Sequence, residues 1–173
     1  MKNLFLIISL VCYSFLSEAQ TKAIPLNFHG VDVYAMMSPV NPFTQVGQIT
    51  FMSEHKELSN TEWLNAVVQL APVLDFDAIV TRNGQHISYI QYKSKDAERI
   101  GYLTNLKVNY VDVFYFSKPN KGYTVIGKQT IENNNTSATF YTIIDEYTLR
   151  KFKLKYDAII VGENEVQYIA YNL

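Results

Sequence analysis

Three histidines, His29, His55 and His86, are the side chains in this sequence best suited to holding a metal ion. Zinc sites draw imidazoles from short, characteristic spacings, and the gaps of 26 and 31 residues here fit none of them. They are expected as scattered surface residues, with no metal. Glu54, His55 and Glu57 form a second group whose types would suit proton transfer as acid and base. Such a cluster of polar residues ahead of a helix is better read as a solvated loop. Nucleophilic catalysis requires a hydroxyl or amine beside a base, with paired donors for an oxyanion, and no Gly-x-Ser-x-Gly turn is present. No catalytic residue and no cofactor are expected.

The remaining polar candidates come in pairs. Asp32 with Asp112, Thr44 with Thr124, and Asp77 with Asp157 each lie 80 residues apart, and so do Gly47 and Gly127. Residues kept in two halves of a chain usually serve a fold that the halves share. Asp77 and Asp157 stand where a helix passes into a strand and are expected to cap that turn. The two glycines are expected to mark bulges within strands, since no phosphate-loop pattern surrounds them. A basic run, Arg150, Lys151, Lys153 and Lys155, alternates with Phe152, Leu154 and Tyr156. It suits a solvated face or a charged edge strand, with anionic lipid or an acidic partner as the alternative. Asn133-Asn134-Asn135-Thr136-Ser137 reads as a flexible loop.

The ends and the composition set the frame for these residues. Met1-Lys2-Asn3 opens the chain, Leu4 to Leu16 is an apolar run, and Ser17-Glu18-Ala19 offers a small-x-small cleavage site. The run is short for a bilayer span of about 20 residues. Residues 1–19 are therefore expected to be a signal peptide cut after Ala19, which places the mature chain in the periplasm or outside the cell. Cys12 is the only cysteine and lies within this segment, followed by more apolar residues, so lipidation there is not expected. The mature chain then has no disulfide and no thiolate chemistry. Removing Lys2 and Glu18 leaves 14 basic and 15 acidic residues, and so balanced a charge excludes a general attraction to nucleic acid. The Asn, Lys and Ile usage suggests a bacterial gene.

Internal repetition organises the mature chain. With an offset of 80, Val31-Asp32-Val33 faces Val111-Asp112-Val113, Pro39 faces Pro119, and Asp77-Ala78-Ile79 faces Asp157-Ala158-Ile159. After a one-residue deletion, Tyr89-Ile90 and Tyr92 meet Tyr168-Ile169 and Tyr171. Over the 63 aligned positions the two copies share 14 identities, against about 4 for unrelated sequences. Residues 30–93 and 110–173 are therefore read as two copies of one unit, with 20–29 as a lead-in and 94–109 as a linker, either a short helix or a polar crossover. Within the first copy, Val31 to Met37 and Thr44 to Ser53 suit strands. Ser59-Asn60-Thr61-Glu62 suits a capping box before an apolar stripe that includes Trp63, a core residue whose counterpart is Ile143, and Pro72 should stop the helix near Ala71. Phe76 to Arg82 and His86 to Lys93 suit strands joined around Asn83-Gly84. The fold class expected is α+β: two tandem, duplicated ββαββ units in antiparallel or mixed sheets, with one helix packed on each.

The run Pro42-Phe43-Thr44-Gln45-Val46-Gly47, then an amphipathic helix, then Phe76-Asp77-Ala78-Ile79-Val80, with Gly122-Tyr123-Thr124-Val125-Ile126-Gly127 and Tyr156-Asp157-Ala158-Ile159-Ile160 in the second copy, resembles small bacterial envelope proteins. These are the stress-sensing outer-membrane lipoprotein of the Rcs phosphorelay and compact βαββ proteins of the YbjQ-like type. The likeness covers roughly 50 residues per copy and implies a small mixed-sheet module of the envelope. The sensor's lipid anchor and disulfides have no counterpart in the mature chain, so its signalling role is not implied. The function expected is noncatalytic binding of an envelope protein, peptide or glycan in a cleft between the copies, with strand addition at an exposed edge as the mode. A hydrolase or metal-dependent enzyme, and a structural part of a secretion or surface assembly, are the alternatives.

Overall fold

A computed structural model of the chain describes residues 21–50, 58–69, 74–96, 98–104, 107–108, 111–131, 140–149 and 155–172. The expected signal peptide with Cys12, the Glu54–His55–Glu57 group, Pro72, Asn133 to Ser137, and Arg150, Lys151 and Lys153 lie outside the described residues.

The first half contains β1 (Lys22–Phe28), β2 (Val31–Ala35), β3 (Met37–Pro39), β4 (Phe43–Thr50), α1 (Asn60–Gln69), β5 (Ala78–Thr81) and β6 (His86–Tyr92). The second contains β7 (Gly101–Leu103), β8 (Lys107–Val108), β9 (Val111–Tyr115), β10 (Ser117–Pro119), β11 (Tyr123–Thr130), α2 (Phe140–Leu149), β12 (Ala158–Val161) and β13 (Glu165–Tyr171). Local chemistry explains several of these boundaries. His29 and Gly30 both have positive φ (51° and 88°), as the two-residue turn between β1 and β2 requires. α1 starts on a capping box: the Glu62 carboxylate accepts from the Ser59 amide at 2.7 Å, and the Glu62 amide donates to the Ser59 hydroxyl at 3.3 Å. Asn83 Oδ1 accepts from the amides of Gln85 and His86, which shapes the loop between β5 and β6.

The expectation of two tandem ββαββ units, one α+β module after the other, is overturned. Strands make up 54% of the structure, and a curled half-barrel sheet stands with a second sheet. The first sheet has the order β3-β7-β1-β2-β5-β6-β4, with β10 also on β1; the second is β11-β13-β12-β9-β8. The lead-in and the linker cause the difference. Residues 20–29 hold β1, and residues 94–109 hold β7 and β8, in place of a passive lead-in and a helix or polar crossover. β1 pairs with β10 of the second half, and β7 pairs with β3 of the first. β1 and β7 also pair with each other, Lys22 opposite Tyr102. A ribbon of four short strands, β10-β1-β7-β3, thus belongs to both halves.

A backbone kink sends the chain into this ribbon. Met36 and Phe116, each between two strands, have φ of 57° and 46°, a left-handed conformation that costs a non-glycine residue roughly 1–2 kcal/mol. Hydrogen bonds hold both kinks. Met36 N donates to Thr81 O at 2.7 Å and Phe116 N to Val161 O at 2.9 Å. Their carbonyls accept from Thr104 N of the linker and Leu26 N of the lead-in, so the strained residues take part in binding the halves together.

The core is likewise common. Trp63 stacks on Phe116 with centroids 5.9 Å apart and meets Phe140 edge-on at 5.1 Å, while Tyr115 stacks on Phe140 at 4.0 Å. Each such pair contributes about 0.5–1.5 kcal/mol beyond the area it buries. Asn60 at the start of α1 donates to Gly162 O at 2.8 Å and accepts from the Tyr115 hydroxyl at 2.9 Å. The interior that the sequence suggested as a binding cleft between copies is therefore packed aromatic core. Ile143, the counterpart of Trp63, packs against the edge of the same cluster.

Candidate functional site

The buried polar groups cluster at corresponding places in the two halves. β2 and β5 run parallel with Asp32 opposite Ala78, and β9 and β12 do the same with Asp112 opposite Ala158. On the last strand of each half a tyrosine reaches back to that aspartate. The Tyr92 hydroxyl lies 2.9 Å from Asp32 Oδ2, and Tyr171 donates to Asp112 Oδ2 at 2.7 Å. The amides of the same tyrosines donate to Asp77 at 2.8 Å and to Asp157 at 2.9 Å. Asp77 and Asp157 thus fasten a strand about 15 residues away in sequence, instead of capping a local turn.

In the first half this cluster is larger. The Tyr34 hydroxyl lies 2.8 Å from that of Tyr92, where the second half has Phe114. A phenol has one proton, so when Tyr92 gives its own to Asp32, Tyr34 donates to Tyr92. Asn27 donates to the other carboxylate oxygen, Asp32 Oδ1, at 2.9 Å. Arg99, from the segment before β7, lays its guanidinium over the Tyr92 ring 3.8 Å from the centroid, with Nε 3.6 Å from Asp32 Oδ2. Its Nη1 is buried with no hydrogen-bond partner among the described residues. Tyr171 also carries a cation, Lys121, 3.2 Å from its ring centroid, but from the loop after β10.

These groups fasten rather than react. Burial, and then the bond to Tyr34 and the Asp32 charge, push the Tyr92 phenol far above its ordinary value. Burial raises Tyr34 as well, and burial followed by the bond to Asp112 raises Tyr171. All three stay protonated at neutral pH, so none serves as a base. Asp32 already has three donors around it among the described residues. Among the described residues no group of three metal-ligating side chains forms. His29 is exposed at the β1–β2 turn, and His86 is exposed beside Thr50 at 3.3 Å.

The outer edges of the two sheets are different in kind. β4 pairs only with β6 and β11 only with β13, so among the described residues each has one free side. Both carry a register shift at the paired glycines, between Gln45 and Gly47 and between Val125 and Gly127. At Gly47 an added Cβ would stand 2.5 Å from Leu74 Cδ1, so the bulge brings the backbone close to its cover. β11 holds Lys128, paired with Glu165 at 2.9 Å; Gln167 and then Lys128 hold that carboxyl below its usual range. A charged residue of this sort protects an edge from added strands. β4, reading Phe-Thr-Gln-Val-Gly-Gln-Ile-Thr, carries no charge at all, and Phe43 is 40% exposed at its start. Of the basic run, Lys155 is described and is exposed ahead of β12. Sequence reading missed Tyr34, Tyr92 and Arg99; the signal was the pairing of Tyr92 with Tyr171, visible in the repeat.

Set against protein-family models, curated proteins and solved structures, the chain matches none of them.

Proposed function

We propose that this is an exported envelope protein that works by noncatalytic binding, taking an extended, uncharged segment of a protein partner as an added strand on β4. The edge itself carries this reading: eight residues long, unpaired on one side among the described residues, and free of the charge that guards β11. Main-chain hydrogen bonds would supply affinity, and the neutral row of Thr and Gln side chains favours a segment without charge. The export part rests on the apolar run and on Ala19, with cleavage there releasing the chain to the periplasm or beyond.

A photo-crosslinking residue placed at Thr44 on β4, and separately at Thr124 on β11, tests the site in growing cells. A protein adduct is expected from Thr44 alone, and it should vanish when Gln45→Lys and Gln48→Lys charge the edge. Adducts of equal yield from both positions, an adduct that survives the two lysines, or no adduct from Thr44 would each refute strand addition at β4.

A further inference from the structure

The shared ribbon β10-β1-β7-β3 has two unlike faces. Ala23, Met37 and Leu103 point inward and are buried, as strand alternation requires. Lys22, Ile24, Val40, Tyr102 and Lys118 fall on the other face, with Lys22 opposite Tyr102 and Ile24 opposite Lys118. Lys22, Val40 and Lys118 are exposed, Ile24 and Tyr102 half-buried. None of the ribbon's strands contains an acidic residue, and among the described residues neither lysine has a carboxylate within 4 Å. Glu98 stands at the margin, its carbonyl taking a hydrogen bond from Asn41. A face with two free cations is therefore built into a chain whose net charge is -1.

The geometry points to this ribbon as a docking face for the phosphate headgroups of an anionic lipid surface. Lysine stems beside a tyrosine and aliphatic side chains match the boundary between headgroups and acyl chains, where each of those residue types settles. Each lysine near an anionic leaflet contributes roughly fivefold in partitioning.

Sedimentation of the mature chain, starting at Gln20 and so containing every described residue, with vesicles of phosphatidylcholine alone or with phosphatidylglycerol, tests this. Binding is expected only with phosphatidylglycerol and should weaken in high salt. Lys22→Glu with Lys118→Glu should reduce it at least tenfold. Lys128→Glu with Lys155→Glu, the same charge change elsewhere, should leave it within about threefold, and circular dichroism checks that both variants fold. The two lysines belong to the described residues, so this result does not depend on where the chain is cleaved or exported. Equal losses in both variants, no binding to any vesicle, or binding to a soluble acidic polysaccharide in place of vesicles would overturn the proposal.

Discussion

The cluster around Asp32 and the one around Asp112 start from the same carboxylate and the same tyrosine, yet only the first is extended. Asp32 is buried and gathers Asn27, Tyr92 and Arg99, with Tyr34 behind Tyr92; Asp112 is less buried and bonds Tyr171. Equal frames thus carry unequal loads. The additional groups in the first half are an amide on β1, a single hydroxyl on β2 and a guanidinium from the connecting segment. Arg99 adds a side-chain anchor to a segment whose Glu98 and Ile100 carbonyls also accept from Asn41 and Val40, while the loop carrying Lys121 covers Tyr171 and is tied by backbone bonds to Lys22 and Asn172.

The largest expected effect separates the two aspartates. Asp32→Ala strands a buried phenol, an amide and a guanidinium together and should cost about 3–4 kcal/mol. Asp112→Ala should cost about 1–2 kcal/mol, and equal losses in urea denaturation would break the comparison. Next comes the added phenol. Tyr34→Phe reproduces Phe114 and should cost about 1 kcal/mol, with the difference between the two aspartate variants narrowing in its background. Arg99→Ala is expected to cost about 1 kcal/mol because the side chain is 35% exposed and screened, and limited proteolysis should show faster cutting near residues 95–99. Lys121→Ala, also exposed, should cost no more than about 0.5 kcal/mol and leave that cutting unchanged.

Alkaline titration sharpens the same contrast. Tyr34, Tyr92 and Tyr171 have raised folded values, so the stability they contribute is fully present below the ordinary tyrosine value near 10. It is lost as pH rises from there toward the folded values, because the unfolded chain releases those protons first. Ultraviolet absorbance should show these phenols ionising together with unfolding. Tyr34→Phe removes one of these protons and the bond that helps raise Tyr92, so its stability should fall less steeply above about pH 10 than that of the unaltered chain.

Local structure was the more legible part of the sequence. Ser59 and Glu62 announce α1, the tyrosine and β-branched runs announce the strands, and Gly47 and Gly127 coincide with the register shifts. The architecture was hidden because β1 and β7 sit in stretches that resemble a lead-in and a linker. Lys22-Ala23-Ile24-Pro25 and Gly101-Tyr102-Leu103 are too short to declare partners, and their pairing depends on Met36 and Phe116, whose left-handed backbone no propensity predicts. The Asp–Tyr clusters were half visible: the repeat named both aspartates and both tyrosines, but Arg99 lies outside it. Alternation alone could not show that a helix-to-strand aspartate such as Asp77 anchors a strand 15 positions on.

The ribbon shared between the halves also sets an order of events in time. Pro25 pairs with Ser117, 92 residues downstream, and Leu26 waits for the carbonyl of Phe116. A chain emerging N-terminus first must keep its opening strand without that partner until two thirds of its length has appeared. Contacts at such separation are slow to close, and the first half alone cannot complete its own sheet. Such a chain can close its first sheet only after residues 117–119 have been made.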